Sequence, residues 1–283
     1  MYMLRVLLII AILYYAFFRE SKVEKIVIPE PSIVVIEKDI EIKKSRDYAT
    51  ETLPDATRPK GVDAFSTIIA KTNNPFLGDG RITDAHETTH MIHAELRNSR
   101  VLNGLVGLPA SFYIFPDRVY NTVQPKFKKM QIGNYVPQSL RFSRFDLYIR
   151  NQKNWAEDPL YIIDEHISYV NGAIVAIEDK SRGINTDSVD PVEGPLEFSV
   201  YTVATCLAIQ DLDPEFWENE DFQNFIYNLI KKSEEIFKAG RAVYPFERQE
   251  SILRALQTSS DSEPIREFLR KYCDGFFLSI PAS

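Results

Sequence analysis

The stretch from Thr83 to Asn98, TDAHETTHMIHAELRN, decides the reading of this chain. Three of the protein's four histidines, His86, His90 and His93, fall within it. At 3.6 residues per turn, positions 86 and 90 stand about 40° apart around a helix axis and one turn apart along it, so two imidazoles can grip one cation. Glu87 projects about 100° to the side of His86, where its carboxylate can accept a proton from water activated by a metal. Thr83 or Asp84 can cap such a helix, and Asp84 with Glu87 makes a capping-box-like pair. With four histidines and 22 glutamates in 283 residues, the pattern His-Glu-x-x-His arises by chance only about 0.004 times per chain.

On these residues the chain resembles the zincin metallopeptidases, the group defined by HExxH on an active-site helix. The resemblance covers residues 83 to 93. It implies a hydrolase that binds Zn2+, with His86 and His90 as ligands and Glu87 as general base. The metzincin extension is absent, because position 93 is His where that pattern has Gly and position 96 is Leu where it has the third ligand. A catalytic zinc takes three protein ligands and keeps one position open, so the third ligand must come from elsewhere. Asp164, Glu165 and His166 compete for it on a helix expected at 159–178. With Leu160 at zero on the helical wheel, Ile163, Ile167, Val170 and Ile174 gather on one side, while Glu165 lies about 140° away near Tyr161, Ser168 and Gly172. Small Ser168 and Gly172 leave room for an approaching helix or metal, and Glu165 is the preferred ligand.

A glutamate ligand makes the chain similar to gluzincins, although the 75 residues from His90 to Glu165 exceed the compact thermolysin-like spacing. The segment DEHISYVNG from Asp164 to Gly172 also loosely resembles poorly characterised bacterial HExxH proteins. Asp164 is a natural acceptor for the N–H of a ligand imidazole. His93 shares the face of the motif but lies about 10.5 Å of helix rise beyond His86. That distance points to a supporting or substrate contact, or to a packed core histidine. Tyr169, His166 and Tyr201 are candidate donors to a developing oxyanion, and Glu197 is a reserve third ligand. Tyr201 fits the core equally well. The aromatic and basic tract from Tyr113 to Tyr148, with Lys126, Lys128, Lys129, Arg141 and Arg144, reads as a substrate groove or a solvated loop.

Around this centre the expected fold class is α+β, mainly α, with an active-site helix and a helical C-terminal half. Helices are expected at 62–72, 83–98, 159–178, 195–210, 215–239, 246–257 and 264–273. Asp158 and Pro159 start the third of these, and Gly240 caps the fifth. FYIFPDRVY from Phe112 to Tyr120 suggests a short hairpin turning at Pro116 and Asp117. Residues 121–158 show no clean period.

Residues 1–22, apolar up to Phe18 apart from Arg5, read as a signal anchor or signal peptide, 23–61 as an extended stalk or linker with one or two strands, and 62–283 as the zincin-like domain. The expected partners are a peptide or protein substrate and a membrane engaged through the N-terminal segment. The domain is expected outside the cytoplasm, anchored or secreted. A net charge of −7 and a pI near 5.3 argue against nucleic acid. Two cysteines, Cys206 and Cys273, are too few for a disulfide scaffold; export would allow them to pair, and their 67-residue separation neither favours nor forbids it. Two rivals to a peptidase remain: a binding or scaffold protein with a structural or vestigial metal, and a zinc hydrolase acting on a small amide or ester.

Overall fold

The computed structural model describes residues 46–53, 63–102, 108–184 and 190–282. The HExxH segment lies in helix α2 (Arg81–Leu102), preceded by the short α1 (Ala64–Ile69). Asp63 caps α1 by accepting from the Ser66 N–H at 2.7 Å. Helix α2 starts two residues before the expected Thr83, because Asp84 reaches backward instead of capping. Its carboxylate accepts from the N–H groups of Gly78 and Asp79 at 3.1 and 2.9 Å. One turn further on, Thr88 exchanges hydrogen bonds with Phe76 at 3.0 and 3.2 Å. The turn-rich loop before the motif is thereby strapped to it.

Helix α3 (Tyr161–Ser181) packs along α2. Arg81 meets Asp179, Ile82 meets Gly172, and His90, His93 and Arg97 meet Asp164, so the two helices run antiparallel. Gly172 makes the approach possible, since a Cβ there would sit 3.3 Å from the Ile82 carbonyl and 3.7 Å from His86 Cβ. Arg81 ties the helix ends together, donating to Asp179 at 2.7 and 2.8 Å and to Asp63 at 2.9 Å. Asp158 is not the cap expected for α3. The preceding Leu160 occupies the cap position without a side-chain bond, and its N–H donates to Gln124 Oε1 at 2.9 Å.

Helix α4 (Glu193–Leu212) is buried on every face through most of its length, as an all-round apolar helix must be. It packs with α3 at the centre of the core, with the short α5 (Pro214–Trp217), α6 (Glu220–Arg241), α7 (Glu247–Thr258) and α8 (Glu263–Tyr272) around it. The single helix expected at 215–239 is broken by Asn219, whose side chain accepts from Phe222 N–H at 3.1 Å and starts α6 afresh. Gly240 is not a terminal cap, because α6 continues to Arg241. It is a contact point: a Cβ there would lie 2.2 Å from Val192 Cγ1.

The sheet has the order β1-β3-β2, all antiparallel, with β1 (Glu51–Thr52), β2 (Pro109–Ile114) and β3 (Arg118–Val123). The hairpin pairs Ile114 with Arg118 across the expected turn. Strand β1 belongs to the segment read as a stalk. Asn224 and Asn228 of α6 donate to the carbonyls of Asp47 and Arg46 at 2.9 and 2.6 Å, so residues 46–53 are built into the fold. The period-free tract holds 3-10 turns at Lys129–Asn134, Gln138–Leu140 and Lys153–Trp155 and a π-helical segment at Phe145–Asn151. Cys206 and Cys273 are both buried and free, not paired.

The described fold is thus mainly helical with one small sheet, in line with the expected α+β class. The membrane expectation is corrected: among the described residues no helix is long and apolar enough to cross a bilayer. The proposed anchor at 1–22 lies outside the described residues, as do 23–45 and 54–62 of the expected stalk.

Gly194 at the start of α4 offers a direct test of this packing. A Cβ there would meet Tyr169 Cδ1 at 2.3 Å, and overpacking of this kind costs about 1–3 kcal/mol. Gly194→Ala is expected to lower the urea midpoint accordingly, and an unchanged midpoint contradicts the packing described.

Candidate metal centre

Helices α2 and α3 bring three ligand-type atoms to one point. His86 Nε2 and His90 Nε2 face each other at 3.1 Å, and Glu165 Oε2 lies 3.5 and 3.4 Å from them. Two donors about 2.0–2.1 Å from a tetrahedral zinc stand about 3.3 Å apart, and the three separations bracket that value. Glu165 Oε2 is buried and has no hydrogen-bond partner among the described residues. Its other oxygen, Oε1, accepts from the Tyr161 hydroxyl one turn earlier on α3. Two imidazoles turned inward and one orphaned carboxylate oxygen are the donor set a zinc ion fits.

Asp164 organises the histidines. Its Oδ1 accepts from His90 Nδ1 at 2.6 Å and His93 Nδ1 at 2.8 Å, while Oδ2 accepts from Arg97 Nη1 at 2.5 Å. The Nδ1–H given to Asp164 leaves Nε2 as the atom turned toward His86 and Glu165, the one a metal would take. Burial raises the Asp164 carboxyl, but the charges of His93, Arg97 and His90 outweigh it and hold the group well below the usual range. Burial also raises Glu165, and His90 and His86 overcome this to bring it down to about 2. Burial lowers His90, but the carboxylates of Glu165 and Asp164 prevail and hold it well above its usual value. The cluster therefore attracts positive charge at the point where the three donors meet.

His93 is fully buried, bonded to Asp164 and edge-on to Phe112 at 5.8 Å. It is a supporting histidine beside the Asp164–His90 link. Glu87, next to His86, is partly exposed, and no hydrogen bond or ion pair holds its carboxylate among the described residues. The ring of Tyr169 lies 4.5 Å edge-on from His86. Its hydroxyl meets Tyr148 Oη at 2.9 Å and accepts from Arg144 Nε at 3.2 Å. Arginine can only donate, so this phenol pair shares one O–H between its oxygens and keeps a second to offer elsewhere. Burial raises both phenols, Tyr169 to about 12 and Tyr148 well above the ordinary range, so both stay protonated.

Two expectations are overturned and two open alternatives are decided. His166 adjoins Glu165 in sequence but points about 100° around the helix, where it bonds Thr202 at 2.8 Å and Ser233 at 2.7 Å. Burial pushes it down to about 3, and it is a core histidine, neither ligand nor oxyanion donor. Glu197 is no reserve ligand, because Arg144 donates to it at 2.7 Å and Tyr201 at 2.6 Å. Tyr201 is buried with its hydroxyl committed to Glu197. The basic tract does not form a cationic groove either. Lys126 and Lys128 are exposed, Arg141 donates to the Val136 and Gly133 carbonyls, Arg144 is neutralised by Glu193 and Glu197, and Lys129 is buried.

Sequence reasoning missed the roles of Tyr161, Tyr148 and buried Lys129. Of these, only Tyr161 carried a local signal, its i,i+4 spacing to Glu165. No family model, curated protein or solved structure matches the chain, so the functional reading rests on these residues.

Lys129 supplies a pH test. Burial, only partly offset by Glu165 and Asp158, brings its ammonium from 10.5 to about 8. Above about pH 8 folded Lys129 is neutral while the unfolded chain still binds its proton, so stability rises with pH until about 10.5. Urea unfolding at pH 7.5, 9 and 10 is expected to show wild type gaining stability relative to Lys129→Met. Parallel curves contradict the buried charge.

Proposed function

We propose that the chain is a zinc-dependent hydrolase of the gluzincin-like zincin class that cleaves peptide bonds. His86, His90 and Glu165 hold the metal. The observation that carries the reading is the convergence of the two HExxH Nε2 atoms, 3.1 Å apart, on an orphaned Glu165 Oε2 within 3.5 Å of both. When bound, zinc polarises the scissile carbonyl and brings the pKa of water toward about 7.

The chain's own groups perform the proton chemistry. Glu87, whose carboxylate no hydrogen bond or ion pair holds among the described residues, accepts a proton from the attacking water and passes it to the leaving amine. The spare O–H of the Tyr148–Tyr169 pair, whose Tyr169 ring lies against His86, is the donor assigned to the oxygen that gains charge. Asp164 keeps the His90 proton on Nδ1 throughout. The arrangement favours an open site over a closed structural one: His166 is bonded to Thr202 and Ser233, and Asp164 to His90, His93 and Arg97, so neither is turned in as a fourth ligand.

Digestion of a broad peptide library tests the reading. Glu87→Gln is expected to retain zinc and to lose about 10²–10⁴-fold in rate. A chelator abolishes cleavage and added zinc restores it. Undiminished cleavage by zinc-loaded Glu87→Gln overturns the proposal.

A further inference from the structure

Tyr161 has no place in the proton chemistry above, yet it is the most elaborately held side chain near the centre. Its ring stacks on Trp155 at 5.0 Å with the planes 5° apart. Each ring has a cation over it: Arg97 Cζ is 5.6 Å from the Trp155 centroid, and Lys129 Nζ is 5.1 Å from that of Tyr161. Both cations are themselves fixed, Arg97 by Asp164 at 2.5 Å and Lys129 by the Tyr148 carbonyl. The device therefore links the carboxylate that orients His90 to the carboxylate that faces both imidazoles.

A carboxylate ligand can offer a metal one oxygen or two. In Glu165 the oxygens are already distinguished, since Oε1 accepts from Tyr161 while Oε2 is buried with no hydrogen-bond partner among the described residues and faces both Nε2 atoms. An ionised carboxylate can only accept, so the proton lies on the phenol. A cation over the ring withdraws electron density and makes that phenol a stronger donor. Resting on the metal-centre reading, we infer that Tyr161 is a positioning residue that reserves Glu165 Oε1 for its own hydrogen bond, so that Glu165 serves as a one-oxygen ligand and the metal keeps an open position. A second oxygen from Glu165 would add a donor and raise the coordination number, as zinc sites do when they expand to five.

Cobalt(II), titrated into the full-length metal-free protein, is the probe. Its visible absorption weakens as its coordination number rises. Tyr161→Phe keeps the ring in the stack and frees Oε1. It is expected to bind cobalt within about threefold of wild type and to show a weaker visible band. A role limited to orienting the ligand instead predicts a loss of about 10–100-fold in affinity with an unchanged band. Lys129→Met, which leaves the hydroxyl in place but weakens it as a donor, is expected to shift the band in the same direction by less. A wild-type protein that takes up cobalt, with the same band in Tyr161→Phe, overturns the inference alone. A wild-type protein that takes up none overturns the metal-centre reading and the inference with it.

Discussion

One buried carboxylate locks the helix pair on which the centre is built. Asp164 on α3 receives hydrogen bonds from His90, His93 and Arg97, which occupy the i, i+3 and i+7 positions of one face of α2. Each of these groups would be costly alone in the interior, and together they satisfy one another. Removing one partner of such a buried charged set typically costs about 3–5 kcal/mol, because the others are left unpaired. The same contact sets the rotation of α2, and so turns His86 and His90 toward Glu165, the residue next to Asp164 on α3. Structure and chemistry share this clamp.

Close approach is the second half of the constraint. Gly172 lets the Ile82 carbonyl come within reach of α3, and Gly194 gives the Tyr169 ring its place beside His86. Behind Glu165 the tract from 129 to 155 contributes Lys129, Tyr148 and Trp155, so the least regular part of the chain forms the wall of the centre. Its short 3-10 and π turns are held by side chains reaching to carbonyls, as with Arg141 to Gly133 and Val136.

The legible part of this architecture was what helical periodicity dictates. HExxH places two imidazoles on one face, and the helical wheel sets Glu165 apart from its apolar neighbours, so the three converging residues follow from spacing. The hairpin followed from its turn residues. What spacing does not reveal is which long-range partner satisfies a polar group. His166 and Glu165 are adjacent in sequence, yet one faces Thr202 and Ser233 while the other faces the histidines. Glu197 and Tyr201 resemble site residues until Arg144 arrives from a segment without periodicity. Gly240 has the composition of a helix cap, but its neighbour Val192 makes it a contact point inside α6.

The proposed metal site of His86, His90 and Glu165 depends on whether the α2–α3 pair holds a cation between these three residues. Zinc content and affinity measured at neutral pH on protein stripped and reloaded test it most directly. One tightly held zinc per chain is expected in the wild type, with its loss in His90→Ala and in Glu165→Ala. A wild-type chain that holds no zinc, or variants that hold it equally well, would contradict it.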